Sequence, residues 1–84
     1  MEKQKNQVRV KIMDEDYILS GDEKDDYILL LASYVDQKMQ QIRKNYSNLS
    51  KSKIAVLTAL NLADELTKLQ GQYDDLLLQM EEKK

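Results

Sequence analysis

The stretch AVLTALNLADELTKLQGQYDDLLLQM, residues 55–80, decides the fold of this 84-residue chain. Its apolar side chains recur at alternating spacings of four and three residues, which is a heptad repeat. A stripe that repeats every 3.5 residues stays on one side of a supercoiled helix, so it predicts a second helix packed along it. The residues of this predicted dimer seam are Ala55, Ala59, Leu62, Leu66, Leu69, Tyr73, Leu76 and Met80.

Length and composition indicate one small domain that associates with another chain. A chain of 84 residues buries too small a fraction of its surface to be comfortably stable alone. It contains no cysteine, which excludes disulfides and thiolate chemistry, and no histidine, the usual general base at neutral pH. We therefore predict no catalytic residue, no metal site and no cofactor.

No segment has the pattern of a membrane span or a secretory signal. The longest stretches without charge are residues 27–35 and 54–63, whereas a spanning helix needs about 20 apolar residues. The N-terminal residues MEKQKNQ carry no apolar core behind their charges. We expect a soluble, cytoplasmic protein.

Two β-prone segments precede the helical part of the chain. Residues 7–13 alternate Val8, Val10 and Ile12 with polar side chains, which is the pattern of a half-buried strand. Residues 17–19 form a second short segment, and the acidic residues 14–16 between them are good turn formers. The pattern predicts a β-hairpin that packs on a helix, because an isolated hairpin is marginal in water.

A first helix is predicted from about residue 23 to about residue 46. Asp22 is its expected N-cap, and acidic residues in the first turn suit the positive end of the helix dipole. The predicted core stripe, at helical spacing, is Ile28, Leu31, Ala32, Val35, Met39, Ile42 and Tyr46.

A second helix is predicted from about residue 51 to about residue 82, with Ser47 or Ser50 as its cap. It is apolar nearly all round in residues 54–63 and retains mainly the seam beyond Leu66. The predicted domains are a flexible N-terminus (1–6), a dimerisation head (7–66) and a coiled-coil tail (67–84). The fold class is α+β: an N-terminal β-hairpin packed on helix 1, then a long coiled-coil helix, in a dimer or a dimer of dimers.

Three consecutive leucines at residues 76–78 exceed what one helix face can cover. A two-stranded seam would leave Leu77 or Leu78 in water, and consecutive exposed apolar residues usually mark another contact. We predict that Leu77 and Leu78 join two dimers into a tetramer. A frayed apolar terminus is the alternative.

Charge is segregated along the chain although the net charge is only -2. Residues 1–13 carry +3, residues 14–35 carry -6, residues 36–54 carry +4 and residues 55–84 carry -3. The basic band can steer an acidic partner, although Lys and Arg are also common on solvated helix faces.

The segment AVLTALNLADEL, residues 55–66, resembles the signature of the ZapA family of bacterial cell-division proteins. The first strand, the residues YIL at 17–19 and the helical LASYVDQKM at 31–39 resemble that family's N-terminal hairpin and first helix. The resemblance covers nearly the whole chain. The chain departs from the family at Asp14, where the hairpin turn usually has glycine, and in its short C-terminal helix.

The resemblance implies a protein of the mid-cell division ring that dimerises through its head and helix 2, forms tetramers through its tails, and binds the tubulin-like GTPase FtsZ. By cross-linking FtsZ protofilaments it would stabilise the Z-ring. On this chain the implied FtsZ contacts are basic residues at the end of helix 1 and in the segment after it: Lys38, Arg43, Lys44 and Lys51. The acidic turn at residues 14–16 is a further candidate contact.

Other classes of function compete with this interpretation. A strand carrying Arg9 and Lys11 before two helices has the outline of a ribbon-helix-helix DNA-binding dimer, but the acidic turn, the long helix 2 and the negative net charge disfavour nucleic acid. A catalytic cluster of Ser50, Ser52 and Lys53 ranks lower, because such residues at a helix start usually cap it. A coiled-coil scaffold for another client is also compatible with the sequence.

Overall fold

A computed structural model describes residues 6–82 as a β-hairpin followed by two helices. The elements are β1 (Asn6–Ile12), β2 (Glu15–Gly21), α1 (Asp25–Asn45) and α2 (Lys51–Glu82). β1 and β2 are antiparallel, with Val8 opposite Leu19 and Val10 opposite Tyr17. The predicted α+β arrangement of hairpin and helices is confirmed. The flexible segment predicted for residues 1–6 lies outside the described residues except for Asn6, where β1 begins.

The hairpin packs on α1 through the alternating apolar residues of β1. Val8 and Val10 are buried against Ile28 and Ala32 of α1, because the period-2 alternation places both valines on one face of the sheet. Ile12 is half-buried beside this cluster. The predicted half-buried strand is therefore present, with its charged side chains on the opposite face.

A second apolar cluster joins the hairpin to both helices. Met13, Met39 and Ile54 are buried together, and Ile54 at the start of α2 is only 1% exposed. Each of the three side chains comes from a different part of the fold: the hairpin turn, α1 and α2. This cluster joins the start of α2 to the hairpin turn and to α1.

The hairpin turn begins one residue earlier than predicted. Met13 and Asp14 form a two-residue turn, whereas Glu15 and Asp16 belong to β2. Both turn residues have positive φ, 52° for Met13 and 66° for Asp14. Positive φ at both central residues matches the right-handed twist of the flanking strands. The prediction of a turn over residues 14–16 was wrong because it considered turn-forming residue types and not the two-residue geometry of a tight hairpin.

We expect Asp14→Gly to raise the free energy of unfolding by about 0.5–1 kcal/mol, because glycine adopts positive φ without the steric cost of a side chain. Asp16→Gly is the matched control, since Asp16 lies in β2, where glycine weakens a strand. Urea denaturation of both variants at one protein concentration measures the difference. Equal destabilisation by the two changes would contradict a left-handed turn at Asp14.

α1 begins two residues later than expected and ends one residue earlier. Its N-cap is Lys24, which makes no side-chain capping bond, so the prediction of Asp22 as N-cap was wrong. Asp25 and Asp26 do lie in the first turn, and Arg43 and Lys44 in the last. The predicted core stripe divides by burial. Ile28, Ala32 and Met39 are buried, Val35 and Ile42 are half-buried, and Leu31 and Tyr46 are exposed in the single chain.

α2 has the predicted bounds. Ser50 caps it, because its Oγ accepts a hydrogen bond of 3.3 Å from the backbone N–H of Lys53. Every described side chain of α2 from Leu66 to Glu81 is exposed. This part of α2 therefore packs against no other described element of the chain. Nothing in the single chain explains Gly71, where an added methyl group would meet no described heavy atom within 4 Å. The division into head and tail stays a prediction.

Candidate interaction surfaces

A three-residue cluster links α1 to α2. Lys38 forms an ion pair with Glu65, and the hydroxyl of Tyr34 donates a 2.6 Å hydrogen bond to the other carboxylate oxygen of Glu65. The ammonium of Lys38 also lies 5.6 Å from the centre of the Tyr34 ring. Because Tyr34 and Lys38 are four residues apart on α1, both side chains face the same carboxylate.

The contacts within this cluster shift the pKa values of Glu65, Lys38 and Tyr34. The ammonium of Lys38, and then the hydroxyl of Tyr34, hold the pKa of Glu65 below its usual value. The hydrogen bond to Glu65 raises the pKa of Lys38 and that of Tyr34. All three groups therefore keep at neutral pH the protonation states that bond α1 to α2.

The hairpin turn is anchored on α1 through Asp36. The backbone N–H of Met13 donates a 2.7 Å hydrogen bond to Oδ1 of Asp36, which also accepts from the side chain of Gln40. The Met13 side chain is buried in the second apolar cluster. One residue of the turn is thus held by both its backbone and its side chain.

The acidic end of the hairpin lies against two of the predicted cations. Arg43 lies 3.4 Å from Asp14, and Lys51 lies 3.0 Å from Glu15, both measured between nitrogen and carboxylate oxygen. The hydroxyl of Tyr17 also donates to Glu15, at 2.9 Å. The ammonium of Lys51, and then the hydroxyl of Tyr17, hold the pKa of Glu15 below its usual value. Residues of the acidic band (14–35) therefore form ion pairs with residues of the basic band (36–54) within one chain.

The four cations predicted as partner contacts occupy different surroundings. Lys38 pairs with Glu65, which lies 14 residues along α2 from Lys51, or about 21 Å at 1.5 Å per residue. Arg43 and Lys51 flank the hairpin turn. Lys44 has no ion-pair partner in the described part of the chain. The structure thus brings Arg43 and Lys51 to one end of the head and directs Lys38 towards the interior of the α1–α2 junction.

An apolar groove that the sequence interpretation missed lies where α1 gives way to α2. Its cavity of about 600 Å³ is lined by the end of α1, the connecting segment and the first turns of α2. We name it the head groove. Its lining residues are Ile42, Tyr46, Leu49, Leu57, Leu60 and Asn61. A second hollow of about 300 Å³ shares Leu49 and Leu57 with it and has Lys53 at its side. The sequence did contain a signal for this groove, because α2 has apolar residues on the side opposite the heptad face.

The heptad seam opens onto another apolar hollow. A cavity of about 490 Å³ lies between the hairpin, α1 and α2, and Ala55, the first seam residue, lines it together with Tyr17, Leu19 and Val35. Farther along, Leu62 is half-buried and Leu66 is 67% exposed. The seam therefore begins at a hollow whose wall is apolar except for Ser52 and the Glu15–Lys51 ion pair.

The dimensions of the single chain show that it is extended and exposes more total surface than a compact monomer. Its accessible surface is 7320 Å², about 2,000 Å² more than expected for a compact monomer of this mass. Its radius of gyration is 17.4 Å, against about 12 Å for a compact domain of this length. A standard protein interface covers only about 800 Å² per partner. The excess of total accessible surface is larger than the area that one standard interface covers on a partner.

Comparison with known proteins agrees with this architecture. The family described as "Cell division protein ZapA" matches residues 8–84. The chain belongs to the ZapA family. It is 41% identical over 83 residues to a cell division protein ZapA of Geobacillus sp. (strain WCH70), with 99% of this chain and 95% of that protein covered. It is also 41% identical over 76 residues to the ZapA of Shouchella clausii (strain KSM-K16), covering 88% and 97% of the two chains.

A solved structure is similar along almost the same length. The ZapA mutant dimer from Geobacillus stearothermophilus has a TM-score of 0.71 and 38% sequence identity, and the match covers 95% of this chain and 93% of that one.

Within the described residues, neither helix is long and apolar enough to cross a bilayer.

Two ZapA-like segments of this chain contact one another through an ion pair and a hydrogen bond that the sequence interpretation did not predict. Glu65 lies in residues 55–66, and its partners Tyr34 and Lys38 lie in residues 31–39. Thr58, in the first of these segments, is buried and donates a 2.8 Å hydrogen bond to the carbonyl of Ile54. These polar residues are part of the head's internal bonding.

Proposed function

We propose that this ZapA family member is a non-enzymatic adaptor that binds FtsZ through its head and cross-links FtsZ protofilaments at the cytoplasmic mid-cell division ring. The observation that carries the proposal is the match to a cell-division family over residues 8–84. The resemblance of residues 55–66 supports FtsZ as the partner. The basic and apolar surfaces at one end of the head supply chemistry suited to such a contact.

The proposed contact surface combines the head groove with two cations in the last turn of α1. Leu57 and Leu60 offer apolar area, with Leu60 62% exposed in the single chain. Lys44 and Arg43 lie in the last turn of α1, next to the groove residues Ile42 and Tyr46 in sequence. An apolar groove and cations at the same end of α1 suit a partner that carries both apolar and acidic side chains.

Self-association supplies the second half of the proposed function. We propose that α2 pairs with a second copy along the seam, and that Leu77 and Leu78 join two such dimers. The number of heads then rises to two or four, and several weak head contacts hold filaments together more strongly than one. Cross-linking follows because different heads of one particle can bind different protofilaments.

Sedimentation of FtsZ assembled with GTP tests the proposal directly. We expect the protein to pellet with FtsZ filaments and to thicken them into bundles visible by electron microscopy. Because the proposed surface is basic, the pelleted fraction should fall as salt rises from about 50 to 300 mM. FtsZ without nucleotide and a DNA fragment serve as comparison partners. Absence of binding to FtsZ at low salt would refute the proposal.

We expect Leu77→Gln combined with Leu78→Gln to halve the mass of the particle, from four chains to two, at concentrations where the wild type is a tetramer. Both leucines are exposed in the single chain and the seam residues are unchanged. Light scattering over a concentration series measures the mass, with Gln72→Ala/Gln79→Ala as a control at two exposed α2 positions. If variant and wild type have the same mass at every concentration, these leucines make no tetramer contact.

A further inference from the structure

We propose that the hairpin carboxylates Asp14 and Glu15 occupy the partner-binding cations Arg43 and Lys51 in the free protein, so that an acidic partner must displace them in order to bind. The inference rests on the proposed function, which assigns Arg43 to the contact with FtsZ, and on the family resemblance, which implies Lys51 as a further contact. It adds that the chain carries its own competitor for that contact.

The geometry places one carboxylate on each cation. Asp14 pairs with Arg43 at the end of α1, at 3.4 Å, and Glu15 pairs with Lys51 at the start of α2, at 3.0 Å. Two successive hairpin residues therefore pair with cations at the end of α1 and at the start of α2. The positive charge of this surface is partly neutralised before any partner arrives.

The hairpin presents these carboxylates from a fixed backbone. The Met13 side chain is buried with Met39 and Ile54, and its N–H bonds to Asp36 at 2.7 Å. The turn therefore stays against α1, and the carboxylates leave the cations by side-chain rotation alone. Such rotation is easy because the ion pairs are open to water: the Arg43 side chain is 46% exposed and that of Asp14 is 73% exposed.

The magnitude of the competition follows from the exposure of the pairs. Each exposed ion pair contributes little, and two of them together should weaken the binding of an acidic partner by roughly threefold to tenfold. Lys44, which has no ion pair among residues 6–82, is available without exchange. The wild-type surface therefore still binds an acidic partner, but more weakly than it would if all of its cations were unpaired.

The test compares two double variants that change net charge equally. Asp14→Asn/Glu15→Gln removes both competing carboxylates and keeps the side-chain shapes, and asparagine tolerates positive φ as aspartate does. Asp16→Asn/Asp22→Asn is the control, because neither of these aspartates forms an ion pair in the described part of the chain. Affinity is measured for FtsZ filaments by pelleting and for poly-L-glutamate by fluorescence anisotropy, and thermal unfolding verifies that both variants are folded.

The proposal expects Asp14→Asn/Glu15→Gln to bind both probes threefold to tenfold more tightly than the control variant. Equal tightening by the two variants would show a general effect of net charge and overturn it. Weaker binding of FtsZ by Asp14→Asn/Glu15→Gln would also overturn it, since the carboxylates would then contact the partner. If the wild type fails to bind FtsZ, the proposed function fails, while the poly-L-glutamate comparison still decides whether the carboxylates compete.

Discussion

Replacing Leu62 with aspartate is expected to abolish both the cooperative unfolding transition and the association of chains. Leu62 is half-buried within one chain and lies on the heptad seam between Ala59 and Leu66. A second helix along the seam would remove it from water completely. An unpaired carboxylate there would cost several kcal/mol, which is a large part of the stability of a small domain. Calorimetry and light scattering on the same samples measure folding and mass.

Two further aspartate variants separate folding from association. Leu66→Asp changes a seam residue that is 67% exposed in one chain, so it costs free energy only if another chain covers it. Thr67→Asp is the matched control at an exposed position beside it and off the seam. We expect Leu66→Asp to lower the mass and Thr67→Asp to leave it unchanged. A dimeric, cooperatively folded Leu62→Asp protein would mean that the seam faces water in the assembled particle.

Periodicity explains why the elements of this fold were predictable. The alternation of Val8, Val10 and Ile12 requires one buried strand face, and β1 buries that face on α1. The heptad of residues 55–80 requires one continuous helix, and α2 has the predicted bounds Lys51–Glu82. These signals extend over many residues, so a local exception does not change the prediction.

The errors occurred where the structure depends on single residues. Asp22 has the right side chain for an N-cap, yet α1 starts at Asp25 with Lys24 in the capping position. Met13 completes an apolar run and looks like part of β1, yet it forms the turn and its side chain joins the second apolar cluster. At Met13 the packing of the side chain against α1 and α2 overrides local preference, and a sequence alone does not contain that packing.

The candidate site was predictable in its charge but not in its pairing. Composition placed a basic band at residues 36–54 and an acidic band at residues 14–35. It could not show that Arg43 meets Asp14 or that Lys51 meets Glu15, because these partners are 29 and 36 residues apart and meet only in the fold. The head groove was missed for the same reason.

Reversing the charges of Arg43 and Lys44 to glutamate is expected to reduce FtsZ binding by at least tenfold and to abolish bundling. The change places negative charge beside Asp14 and in the last turn of α1, so an acidic partner meets repulsion where it met attraction. Both positions are exposed in the last turn of α1, and the stability loss should stay within about 1 kcal/mol. FtsZ pelleting with GTP and electron microscopy measure binding and bundling.

Arg9→Glu/Lys11→Glu is the matched control, with the same change of four charge units on the exposed face of β1. Under the proposed function this control pellets with FtsZ like the wild type, because the outer face of the hairpin is not the binding surface. Under a ribbon-helix-helix interpretation the two variants exchange roles. In that case Arg9→Glu/Lys11→Glu would lose DNA binding, while Arg43→Glu/Lys44→Glu would leave it largely intact.

The pair of variants therefore tests where the partner binds as well as what it is. If Arg43→Glu/Lys44→Glu remains folded and bundles FtsZ normally, the contact with FtsZ lies outside the basic end of the head. If both variants lose binding equally, the attraction depends on overall charge, and the basic end of α1 has no special role. Loss confined to Arg43→Glu/Lys44→Glu would mean that the partner binds where α1 ends, beside the turn that presents Asp14 and Glu15.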